Sequence, residues 1–231
     1  MTRVIPVVVV VIAVGVAVAF WLAFRTPLPS PDQPPPTSES ATPLYDEVRA
    51  DALRLPVKGW DRDTDFRRSA FGEAWSDDVD VEFGHNGCNT RDDVLRRDLA
   101  DLVVRPGTCY AQSGTLHDPY GGVTIAFTRG PTTSDVVQVD HLVSLSDAWY
   151  KGARGWTDQR RRDFANDPRN LLAVDGKANF DKAFRDVASW LPPNAAFRCE
   201  FVARVVVVKT AYGLWVSAEE KRAITDVLAD C

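Results

Sequence analysis

Four polar residues of this chain have types and a spacing that suit acid–base chemistry. Asp140 and His141 are adjacent and close the short apolar run Val136-Val137-Gln138-Val139. Asn170 opens a second run, Asn170-Leu171-Leu172-Ala173-Val174, and Asn179 follows nine residues later. An imidazole with an ordinary pKa near ~6.5 is largely a proton acceptor at neutral pH, so it suits activation of a water molecule. Carboxylate and amide oxygens suit a hard cation such as Mg²⁺, which keeps several waters and takes further ligands from a substrate. An Asp-His dipeptide alone is a weak signal. Its weight here comes from the order in which the four residues fall: strand, loop, strand, helix.

The elements that must position them are legible in part. Val123 to Phe127 and Val136 to Val139 read as strands, set off by the turn-rich stretches Asp118-Pro119-Tyr120-Gly121-Gly122 and Arg129-Gly130-Pro131. Helical patterns run from Tyr45 to Leu55 and from Asn89 to Leu102, where Val94, Leu95, Leu99 and Leu102 recur at helical spacing. Three more cover about 176 to 189, 197 to 212 and 217 to 229, the first two separated by Pro192-Pro193-Asn194. The expected class is α+β: a mostly helical domain with a small antiparallel sheet.

The ends and the cysteines bound the compartment. Val4 to Phe24 carries no charged side chain, and its length matches a hydrocarbon thickness of ~30 Å. Residues 1–25 therefore read as a transmembrane anchor or as a signal segment, for which Ala17-Val18-Ala19 supplies a cleavage site. Thr26 to Pro43 holds seven of the fifteen prolines and reads as an extended linker over 26–43, leaving 44–231 as one domain. All four cysteines, Cys88, Cys109, Cys199 and Cys231, follow the apolar segment, as expected outside the cytoplasm. Three pairings exist; Cys88 with Cys109 and Cys199 with Cys231 close the most modest loops. A zinc cluster is disfavoured, because there is no Cys-x-x-Cys and only three histidines are present. Net charge is -5, and setting aside Arg3 and Arg25 leaves -7, so charge alone does not suggest nucleic-acid binding.

The constellation resembles the ββα-metal core of HNH endonucleases. It is most similar to the branch typified by the C-terminal domain of GmrSD-type restriction enzymes, which also occurs in secreted bacterial proteins. The residues that carry the likeness are Val139-Asp140-His141-Leu142-Val143, Ala148-Trp149, Asp167-Pro168-Arg169-Asn170-Leu171-Leu172-Ala173-Val174, Asn179 with Lys182, and Trp190-Leu191-Pro192-Pro193-Asn194. The resemblance implies that Asp140 and Asn179 hold a divalent metal, Mg²⁺ first and Mn²⁺ or Ca²⁺ as substitutes. It makes His141 the general base and Asn170 the residue that orients it. The implied activity is metal-dependent hydrolysis of DNA, with RNA as a second substrate, leaving 5′-phosphate and 3′-hydroxyl ends. The pattern departs after Asn179, where Phe180 and Ala183-Phe184 replace a basic residue and smaller or acidic ones.

Several flanking residues have two readings. Arg91, at the start of a helix beside Cys88, either reaches the scissile phosphate or caps the helix through a salt bridge. Lys151, Arg154, Arg160, Arg161, Arg162 and Arg169 exceed Asp158, Asp163 and Asp167 by three charges, as a phosphate grip or as a solvated helix face. Lys182 either binds phosphate or pairs with Asp186 at i+4, the pair being favoured. Asp175 reads as a helix cap, and His85 and His117 as surface residues. A different class of function, a catalytically inactive cell-surface binding module, suits the negative charge. A serine-hydrolase reading fails for lack of a Gly-x-Ser-x-Gly elbow.

Overall fold

The computed structural model describes residues 42–62 and 65–231. The anchor or signal segment and all but the last two residues of the proline-rich linker lie outside the described residues. Among those described, no helix is long and apolar enough to cross a membrane.

The first helix, α1 (Thr42–Arg54), carries Pro43 in its first turn, where a missing N–H leaves no bond unmade. Next comes α2 (Thr90–Asp98), capped by Asn89, whose side chain accepts from the Asp92 amide. The helical reading of 89–102 is corrected at this point. From Leu99 the chain is a strand, β1 (Leu99–Val104), paired antiparallel with β2 (Ala111–His117), which itself pairs with β3 (Thr124–Thr128). Leu99 and Leu102 keep helical spacing in the sequence, but pairing of Leu99 with Leu116 overrides that local preference.

A second, two-stranded antiparallel sheet joins β4 (Val137–His141) to β5 (Leu171–Asp175), with His141 opposite Leu171 and Asp140 opposite Leu172. Between these strands lie α3 (Leu145–Tyr150) and α4 (Asp158–Asn166). Directly after β5 comes α5 (Gly176–Lys182), capped by Asp175 as its position implied. Gly176 is required there, since a Cβ would sit 2.1 Å from the Asp135 carbonyl oxygen. The helix expected over 176–189 stops at Lys182, because Ala183 takes a φ of 50° and turns the chain away. Two helices complete the domain, α6 (Arg198–Tyr212) and α7 (Ala218–Ala229). Mixed α and β structure with small antiparallel sheets is thus observed.

The pleat of β4 and β5 separates two apolar clusters. Val137, Val139, Leu171 and Ala173 pack with Val94 and Leu95 of α2 and with Phe127 of β3. On the other face Leu172, Val174 and Ala178 join the larger core around Tyr120, Phe201 and Val202. Cys88 bonds Cys109 and Cys199 bonds Cys231, the pairings that close the modest loops.

Candidate active site

Alternation along β4 sends the side chains of Asp140 and His141 to opposite faces, so the strand end has two different environments. His141 is 7% exposed and its ring lies flat against Trp75, with centroids 5.8 Å apart and planes 12° from parallel. Its Nε2 is 2.8 Å from the Ala165 carbonyl oxygen. A carbonyl only accepts, so this bond puts the ring proton on Nε2 and leaves Nδ1 with its lone pair. The ring borders a small cleft of about 30 Å³ lined by Arg68, Glu73, Trp75, Leu145 and Ala165. Burial drives the imidazole pKa down to about 3, with Arg68 and Lys182 adding to the effect.

Trp75 is held on the ring in an uncommon conformation, with a φ of 62°. Such a backbone persists only where its surroundings over-determine it. Here the Trp75 carbonyl accepts the Thr90 amide at 3.3 Å, and the Thr90 hydroxyl donates to the Ser76 carbonyl at 2.9 Å. The start of α2 therefore fixes Trp75, one residue beyond the capping Asn89 and two beyond the disulfide at Cys88.

On the opposite face Asp140 is enclosed. The Tyr120 hydroxyl donates to its Oδ2 at 2.6 Å, and Lys182 Nζ lies 3.0 Å from Oδ2 and 3.2 Å from Oδ1. The same ammonium donates to the His141 carbonyl at 2.8 Å. Burial pushes the Asp140 carboxyl up from its usual range, against the pull of Lys182 and the Tyr120 hydroxyl. Tyr120 itself is raised well above an ordinary phenol by burial and by the carboxylate. The expected pair of Lys182 with Asp186 is corrected: Asp186 is taken by Lys151 at 2.8 Å, and Lys182, fully buried, points inward to β4. An enclosed ammonium has no access to a substrate phosphate, so that reading of Lys182 is corrected too.

Asn179, one turn before Lys182 on α5, donates from Nδ2 to Gln138 Oε1 at 2.8 Å. Its amide oxygen has no hydrogen-bond partner among the described residues. Asp140 and Asn179 thus offer oxygen donors from facing elements, the donor chemistry a hard cation takes, while the charge of Asp140 is matched by Lys182. Asn170 is wholly buried and braces the turn after His141. Its Oδ1 accepts the Val143 amide at 2.8 Å, its Nδ2 donates to the Val143 carbonyl at 3.2 Å, and its own carbonyl accepts the Leu142 amide at 2.8 Å.

The basic run between β4 and β5 is largely consumed by the fold. Arg161 donates to the carbonyls of Ala70, Ala153 and Trp156, Arg160 to that of Tyr212, and Arg162 pairs with Asp78. Lys151 is buried among Asp147, Asp186 and Glu220, carboxylates that lie within 4.8 Å of one another. Lys209 also reaches Asp147 and Glu220, so two ammonium groups hold this trio. Burial alone would raise the Asp147 carboxyl, yet Lys209 and Lys151 bring it below its ordinary value. Arg169 grips Asp167 but stays half exposed, and Arg91 donates to the Val137 carbonyl at 3.3 Å. His85 is exposed beside Asp80, and His117 meets Thr124 at the surface.

Sequence reasoning missed Arg68, Glu73, Trp75 and Tyr120. Arg68 and Glu73 are exposed at the cleft, and Arg68 has no ion-pair or hydrogen-bond partner among the described residues. None of the four sits in a periodic segment. The nearest signal was an aromatic residue, Tyr120, inside a turn-rich stretch.

The family described as GmrSD restriction endonucleases, C-terminal domain, matches residues 89–227. An uncharacterized secreted protein of Arthroderma benhamiae is 40% identical over 146 residues, which cover 62% of this chain and 68% of that relative. No solved structure gives a significant match.

Proposed function

Because the chain belongs to the family of GmrSD restriction endonuclease C-terminal domains, we propose that it is an extracytoplasmic HNH-type nuclease that hydrolyses phosphodiester bonds. DNA is the first substrate and RNA the second, with low sequence specificity. The observation that carries this reading is the state of His141: Nε2 is pinned to a backbone carbonyl, and Nδ1 is left as an acceptor on a ring that borders a cleft. Such a ring takes a proton from a water as that water attacks phosphorus in line with the leaving oxygen. A pKa of about 3 makes a weak base, but the cause is burial of a cation. An anionic phosphate in the same cleft favours the imidazolium and raises the basicity when substrate is present.

In this reading β4, β5 and α5 are the ββα-metal core and Asn170 orients the loop that carries the base. Asp140 and Asn179 hold Mg²⁺, or Mn²⁺ or Ca²⁺ in its place. That ion, when bound, neutralises charge on the phosphoryl and leaving oxygens. Arg68, unpaired at the cleft, contacts the phosphate; Arg169, through its exposed half, and Arg91 lie along the path of the backbone. Two disulfides and the secreted relative support a location outside the cytoplasm, with residues 1–25 serving as anchor or cleaved signal.

End-group analysis tests this chemistry. Products of plasmid DNA and of RNA incubated with the oxidised protein and Mn²⁺ are expected to carry 5′-phosphate and 3′-hydroxyl ends. Products with 3′-phosphate or cyclic phosphate ends would exclude the water-attack scheme. A second reading, an inactive cell-surface module, is favoured by the closure of Asp140 under Lys182 and by the domain charge. It predicts that neither nucleic acid is cut with any divalent ion.

A further inference from the structure

The proposed metal ligand Asp140 already has a cation. Lys182 is the last residue of α5, and the turn at Ala183 ends the helix, so the lysine side chain runs back beneath it toward β4. There the ammonium spans both oxygens of Asp140, at 3.0 and 3.2 Å, and the His141 carbonyl at 2.8 Å, with no exposed surface. The Tyr120 hydroxyl fills the remaining approach to Oδ2. Formal charge at the site sums to zero, one carboxylate against one ammonium, with Asn179 and Gln138 neutral. A divalent ion bound to Asp140 beside Lys182 would place three positive charges against one negative in a poorly solvated pocket, where like charges repel strongly.

We propose that Lys182 is a resident counter-ion that holds Asp140 in the place of a divalent cation, and that a metal reaches Asp140 only by displacing the ammonium. The inference rests on the reading of Asp140 and Asn179 as metal ligands. It makes Lys182 a positioning residue that keeps the carboxylate charged, aimed and folded while no metal is bound. It also sets a low intrinsic metal affinity, because each binding event must break a buried ion pair.

The test needs no nucleic acid, so its failure is separate from failure of the nuclease reading. Full-length protein, oxidised and in mild detergent, is titrated with MnCl₂ by calorimetry and melted across a Mn²⁺ series, beside Lys182→Met and the double variant Asp140→Asn/Lys182→Met. Wild type is expected to bind weakly and to melt at nearly the same temperature throughout. Lys182→Met should bind Mn²⁺ about tenfold or more tightly, with a melting temperature that climbs with the ion. The double variant, neutral at both positions, should fold and show no Mn²⁺ response. If Lys182→Met is unfolded without metal, recovery of its circular dichroism with Mn²⁺ supports the proposal. Absence of recovery while the double variant folds overturns it, as does a folded Lys182→Met with wild-type or weaker Mn²⁺ affinity.

Discussion

On one face of β4 the strand ends in an imidazole with one nitrogen tied down and the other left as an acceptor beside a cleft. On the other face, one residue earlier, a carboxylate is shut in by a phenol and an ammonium. Both groups are nearly buried, at 7% and 5% exposure, yet burial acts on them in opposite ways. It strips the proton from His141 and raises the carboxyl of Asp140, because in each case the charged form loses hydration. His141 answers by staying neutral, which suits a proton acceptor. Asp140 answers by recruiting Lys182. The pleat lets neighbouring residues be tuned independently: the imidazole borders a cleft, and the carboxylate is enclosed by Tyr120 and Lys182.

Breaking the closed side should have the largest effect on stability. Asp140→Asn leaves Lys182 as an unpaired buried cation, a change expected to destabilise by about 3–5 kcal/mol in urea unfolding. A loss under about 1 kcal/mol would mean that the pair is not enclosed as described.

The open side predicts a pH dependence. The folded pKa of His141, about 3, lies below the unfolded value of 6.5. The unfolded chain therefore binds a proton first, so the contribution is fully present above pH 6.5 and is lost as pH falls toward 3. The total is on the order of 5 kcal/mol. Unfolding measured from pH 7 to 4 should show a steep loss that His141→Asn flattens; equal slopes in both proteins would contradict the buried neutral ring.

Two smaller effects probe what holds the open side in shape. Replacing Cys88 and Cys109 by serine opens a link spanning 21 residues and should cost about 3 kcal/mol. It should also reduce cleavage, since the start of α2 fixes Trp75. Trp75→Ala removes the stacked ring and should cost about 1 kcal/mol in stability. Cleavage is expected to drop roughly tenfold, with most of the loss in kcat, because the variant disorders the proposed base rather than a substrate contact. An unchanged kcat would remove Trp75 from the account.

Much of the frame was legible because it is local. β4 and β5 follow from short apolar runs, the Asp175 cap from its position before α5, and the last two helices from helical patterns that follow the break at Pro192-Pro193-Asn194. What escaped is non-local. Leu99 and Leu102 look helical until β1 pairs with β2, Leu99 opposite Leu116. Trp75 meets His141 across 66 positions in a stretch with no period, and Lys182 reaches Asp140 across 42. The i+4 rule pointed Lys182 at Asp186, but α5 ends before that turn forms and a buried carboxylate is the stronger partner. Spacing thus picked out Asp140, His141, Asn170 and Asn179 together, but not that two of them face opposite ways.

The most direct test compares plasmid cleavage by the oxidised wild-type protein and by His141→Ala, matched for thermal stability, with Mg²⁺, with Mn²⁺ and with EDTA. Divalent-ion-dependent nicking is expected, falling by about 10²–10⁴-fold in the variant. Equal cutting by both proteins, or none by either on DNA and on RNA, would contradict the assignment of His141 as the base of a nuclease.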